Sequence, residues 1–215
     1  MSMTSPPGVS LPTHAASSTE LSEACSRRAD ALLADTTAAG ADAKLFAALL
    51  AAREVRGEMH LLGIGKEALH QLGKRHFGPA LSQSLRIDTS PIAALPTKHR
   101  AFVSDLHDLL IRSKSAGVDA ADADCLASII AHACLRPDHL WRDLGLIGRE
   151  DVTRMLGRFF PTVMSRNVNN LRWKKFLAFE VAMATGQEPG PAPGCPGCED
   201  FGVCFVASTE ASFDR

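Results

Sequence analysis

Apolar residues recur along this chain at the spacing of one helix face, and that period limits its possible folds more than any other feature. Phe102, Val103, Leu106, Leu109 and Leu110 follow i, i+1, i+4, i+7, i+8, a pattern that gathers on one side of an α-helix but scatters over both faces of a strand. Leu126, Ile129, Ile130 and Ala133 repeat it behind the acidic start Asp119 to Asp124, where carboxylates favour a helix N-terminus. Leu45, Phe46, Leu49 and Leu50 predict a helix beginning near Asp42, and Val152, Met155, Leu156 and Phe159 predict another. A last helix is expected over 170–184, with Trp173, Phe176 and Leu177 facing inward. Ser17 with Glu20 reads as a capping box opening a first helix through Leu21, Cys25, Ala29 and Leu32. No window alternates over strand length, and Tyr is absent. The expected fold is all-α, a single multi-helix domain.

Three regions are expected. Residues 1–16 hold Pro6, Pro7, Gly8 and Pro12 among Ser, Thr and Ala, too little apolar surface to offset ordering entropy, so they read as a disordered arm. Residues 17–185 form the helical domain. From 186 onward Pro189, Pro191 and Pro193 forbid a continuing helix, so 186–215 reads as a Pro/Gly-rich, irregular cysteine loop and tail. A weak internal similarity relates Leu62-Gly63-Ile64, Gly65-Lys66-Glu67 and His76-Phe77 to Leu144-Gly145-Leu146, Gly148-Arg149-Glu150 and Phe159-Phe160. It suggests two related helix-loop-helix units.

Charge excludes some functions. Lys plus Arg number 23 against 24 Asp plus Glu, so the positive excess of a nucleic-acid binder is missing. No run approaches the roughly 18 apolar residues of a membrane span. Met1 to Ser18 carries no Lys, Arg, Asp or Glu, so no export signal is read there. The expectation is a cytoplasmic protein with neither nucleic acid nor membrane as partner.

In a reducing compartment clustered thiols bind metal more often than they pair. Cys195-Pro196-Gly197-Cys198 brings two sulfurs together across a tight turn, and Cys204 adds a third after five residues. Iron–sulfur clusters are held by such thiolates, usually four. Zinc would accept three cysteines plus a histidine, and unligated thiols are the third alternative. Trp141 and Trp173 read as core anchors. Arg142, Arg149, Arg154, Arg158, Arg166, Arg172, Lys174 and Lys175 read either as a field attracting anions or as a solvated helix face. No nucleophile–base pair, phosphate loop or HExxH is present, and Gly63-Ile64-Gly65 lacks the βαβ context of a dinucleotide site. Without such a constellation an ordinary hydrolase or dehydrogenase is unsupported.

The segments His139-Leu140-Trp141-Arg142-Asp143-Leu144-Gly145-Leu146, Arg172-Trp173-Lys174-Lys175-Phe176 and Cys195-x2-Cys198-x5-Cys204-Phe205, in that order, resemble the NifQ family. The resemblance is clearest from about Cys134 to Phe205. It implies a molybdenum–iron–sulfur cluster on Cys195, Cys198 and Cys204, supplied from molybdate or thiomolybdate. It also implies donation of molybdenum for nitrogenase iron–molybdenum cofactor assembly, with the NifEN scaffold and the NifH iron protein as recipients. The family pattern C-x4-C-x2-C-x5-C has its first cysteine where this chain has Gly190, and a further family cysteine falls on Ala182. Three readings stay open: a cluster held from this loop by three thiolates, a distant fourth ligand (Cys134, Cys125 or His139), or a diverged chain without the cluster. For His139 the alternative to a ligand is a loop or capping histidine.

Overall fold

The computed structural model describes residues 18–34, 36, 39–78, 85 and 95–205, and every regular element among them is helical. In chain order these are α1 (Ser18–Leu33), α2 (Ala41–Val55), a 3-10 turn at Met59–Leu61, α3 (Lys66–His76), α4 (Thr97–Arg112) and α5 (Ala120–Ala133). There follow α6 (Leu140–Leu144), α7 (Arg149–Phe159), α8 (Pro161–Arg166), α9 (Trp173–Thr185), a 3-10 turn at Cys195–Gly197 and α10 (Phe201–Cys204). The expected arm over 1–16, the expected cap Ser17 and the tail beyond Phe205 lie outside the described residues.

The apolar stripes turn inward to one contiguous core that runs from Leu32 of α1 to Cys195. Helix α1 packs on α2, α4 on α5, α7 on α8, and α9 against α4. Phe46 of α2 meets Phe159 of α7 edge to face, ring centroids 6.2 Å apart, and both are fully buried. Each side chain buried in this way contributes about 1.5–3 kcal/mol relative to exposure. No helix among the described residues is long and apolar enough to cross a membrane.

Local chemistry sets the helix ends. Asp119 accepts from the N–H groups of Ala121 (2.9 Å) and Asp122 (3.0 Å), the side-chain cap that the acidic start of α5 predicts. The last long helix starts at Trp173, three residues later than expected. Asn170 is left-handed (φ 50°), and the Asn167 amide accepts from Leu171 N–H (2.8 Å) and donates to Leu171 C=O (2.9 Å). A side-chain-held turn therefore occupies 167–171, because asparagine amides compete with helical backbone bonds.

The internal similarity is a shared local geometry. Gly63 and Gly145 both have positive φ (87° and 72°), and Gly65 and Gly148 each precede an eleven-residue helix that ends at a buried Phe, Phe77 or Phe160. A side chain at Gly63 would overlap the His132 ring, and one at Gly145 would overlap Ala52. Beyond α9 the chain is irregular only to Gly194. The expected irregular loop gives way at the cysteines to helical turns, and Ala192 and Cys195 join the core.

Candidate metal centre

The floor of the site is built from residues 134–145 and the first turn of α9. Lys174 is buried and donates to the Arg136 carbonyl (2.7 Å) and to the buried Asp143 carboxylate. Asp143 also accepts from Arg136 (3.3 Å), and its carbonyl accepts from Arg53. Glu58 completes the network, accepting from Arg53 (2.9 Å) and Arg136 (3.0 Å). Burial pushes the Glu58 carboxyl up, but Arg136 and Arg53 outweigh it and hold the group below the usual carboxylate range. Buried charges persist only when paired in this way.

The cysteine loop lies flat on that floor. Helix α9 ends at Gly186, left-handed at φ 67°, with Gln187 N–H donating to Ala182 C=O (2.9 Å). After the prolines, Gly194 N–H donates to the carbonyl of Cys134 (3.0 Å). A side chain at Gly194 would overlap the Arg136 backbone, and one at Gly197 would overlap the Pro137 ring. Cys198 N–H donates to Cys195 C=O (2.9 Å), closing the turn that Cys-Pro-Gly-Cys predicts. Helix α10 is tied to α9 by Lys175, which donates to the Cys204 carbonyl and lies 4.8 Å from the Phe205 ring centroid.

These elements enclose a cleft of about 340 Å³, lined by Cys195, Cys198 and Cys204 together with His139 and Trp173. Cys195 is buried, which pushes its thiol up, while Cys198 and Cys204 are half-buried. Among the described residues no three of these sulfurs and the His139 nitrogens come within 4.8 Å of one another; Asp138, His139 and Glu199 do. The guanidinium of Arg142 bridges those two carboxylates, at 3.3 Å from Asp138 and 2.6 Å from Glu199. Asp200, between Cys198 and Cys204 in sequence, accepts from Arg172 and from His139 Nε2 (3.0 Å). Arg172 first, then His139, holds the Asp200 carboxyl below the usual range. Trp173 Nε1 is the one buried side-chain N or O atom among the described residues without a hydrogen-bond partner.

The distant fourth-ligand candidates separate in space. Cys134 is fully buried beneath the loop, does not line the cleft, and burial pushes its thiol up to about 12. Cys125 lies within α5 and interacts with Arg75 and Asp124, away from the cleft. His139 lines the cleft. It occupies the N-cap position of α6, yet its side chain makes no capping bond, so the capping reading is replaced by a contact across 61 residues.

Other expectations divide. Trp173 is a core anchor, whereas Trp141 is only half-buried, lines the cleft and stacks on His139 with centroids 6.4 Å apart. Of the eight cations, Arg154, Arg158 and Arg166 pair with Asp151, Asp42 and Glu180 on the surface, and Arg142 bridges the rim. Arg149, Arg172, Lys174 and Lys175 line the cleft. Sequence reasoning missed Asp200, Glu199 and the unpartnered indole. An acidic pair lodged between two cysteines was the available signal.

The profile of the NifQ family matches residues 43–206. A NifQ homolog of Sinorhizobium fredii is 42% identical over 100 residues, covering 46% of this chain and 43% of that protein. The NifQ protein of Azotobacter vinelandii is 45% identical over 82 residues (38% of this chain, 42% of that one), and that of Rhodobacter capsulatus 34% over 91 residues (42% and 51%). The matched stretches thus span about half the length of these curated relatives. No solved structure matches the chain.

Proposed function

This chain belongs to the NifQ family, and from that premise we propose that it carries a molybdenum–iron–sulfur cluster on Cys195, Cys198 and Cys204 and donates molybdenum for assembly of the nitrogenase iron–molybdenum cofactor. The observation that carries this reading is that all three cysteines line one cleft, together with His139 and Arg172. Soft thiolates select zinc, copper(I) and iron–sulfur clusters.

The chain's own residues divide the work. Cys195 would be the buried anchor, with the half-buried Cys198 and Cys204 as the more accessible ligands. Arg172 interacts electrostatically with Cys198 and Cys204 and supplies positive charge beside their thiolates. Trp173 lines the same cleft with its apolar ring. A bound cluster would supply the site from which molybdenum is exchanged. Molybdate or thiomolybdate is the incoming species in this reading, and cytoplasmic NifEN and NifH are the recipients.

The test is the content of iron, molybdenum, zinc and acid-labile sulfide in protein purified without oxygen. About three or four iron and sulfide per chain, with molybdenum, is expected, and replacing all three cysteines with Ser should abolish them. Zinc near one per chain without sulfide would instead make this a structural site. No metal after anaerobic reconstitution would end the carrier reading.

A further inference from the structure

We propose that His139 is the fourth protein ligand of this centre, binding through Nδ1 while Asp200 holds the ring by Nε2. The assignment rests on the cluster reading above. Three cysteines line the cleft, and iron–sulfur clusters commonly take four protein ligands, with imidazole able to replace thiolate. A fourth protein donor would come from another group that reaches the same cleft.

The alternatives are already committed. Cys134 is sealed beneath the loop and Cys125 is in another part of the core. Asp138 accepts from the His139 backbone N–H (2.6 Å) and from Arg142, and Glu199 is held by Arg142. Asp200 accepts from Arg172 and His139.

The imidazole of His139 differs from all of these. Its side chain does not cap the helix it precedes. Nε2 lies 3.0 Å from Asp200 and 3.5 Å from a guanidinium nitrogen of Arg172, which leaves Nδ1 as the nitrogen for a further partner. A histidine that ligates a metal through one nitrogen and donates from the other to a carboxylate is the usual arrangement, because the carboxylate fixes ring orientation and raises basicity. Asp200 is itself fixed by Arg172 and lies inside the Cys198–Cys204 spacer, so one loop supplies two thiolates and the group that aims the imidazole. Asp200 is thus a positioning residue.

The experiment uses the full chain, labelled with ¹⁵N-histidine, loaded anaerobically and examined by pulsed electron paramagnetic resonance in its paramagnetic oxidation state. A hyperfine-coupled ¹⁵N nucleus is expected in the parent. His139→Cys should keep the cluster, lose that coupling and lower the reduction potential, since thiolate adds negative charge. Asp200→Asn should keep the cluster with an altered nitrogen coupling. A cluster on the parent protein without histidine nitrogen coupling overturns this assignment and leaves the cluster reading intact. Failure of the parent to take up any cluster overturns both.

Discussion

Gly194 has the Arg136 carbonyl where a side chain would begin, whereas Gly190, four residues earlier, faces open space. The two glycines therefore do different things. Gly194→Ala should lift the loop from residues 134–137 and cost about 1–3 kcal/mol, the usual range for overpacking. Alkylation mapped by peptide mass spectrometry should then show Cys195 reacting faster, because it loses its cover. Gly190→Ala should leave both stability and alkylation unchanged. The cysteine trio was legible from spacing, since Cys-Pro-Gly-Cys encodes its own turn. The His139–Asp200 pair was not, because its partners lie 61 residues apart and no local period connects them.

Helix α9 has two jobs: its apolar side joins the core, and its first turn sends Lys174 into the floor of the site. Lys174 and Asp143 are both about 95% buried, so Lys174→Met leaves a buried carboxylate with one partner fewer. A loss of about 3 kcal/mol is expected in urea unfolding, the low end for breaking a buried pair. The neighbouring Lys175→Met, whose side chain is partly exposed, should cost less. The long helices were legible because each shows two or more turns of apolar period. Helices α6 and α8, at five and six residues, are too short to display one, and Pro161 at the start of α8 reads locally as a break rather than as a first helical residue. The start of α9 was misjudged because the asparagine turn before it is held by side chains, which an apolar pattern does not record.

Across the whole molecule, two carboxylates tie distant segments together and make stability depend on pH. Burial pushes Asp122 up, but His76 (2.8 Å) and Arg75 outweigh it, so its carboxyl lies below the usual range, as does that of Glu58. A carboxyl lowered in the folded state contributes stability that is fully present above its unfolded pKa, about 4. That contribution is lost as pH falls through the folded value. Asp122→Asn should therefore destabilise by about 2 kcal/mol at neutral pH, the scale of hydrogen bonds to charged groups. The difference from the parent should narrow below about pH 3, as thermal unfolding over a pH series would record. Neither pairing was read from sequence: His76 had no motif to mark it, and Asp122 was read only as part of an acidic helix start.

The way the cysteine loop is fastened has a consequence for repeated use. Its turn, its bond to Cys134 and its seat on Pro137 are all made by protein atoms. A vessel shaped by its own walls keeps that shape when emptied. In the carrier reading proposed above, such a seat would let one chain be filled and drained without unfolding, unlike a small metal-nucleated domain that collapses when its ion leaves.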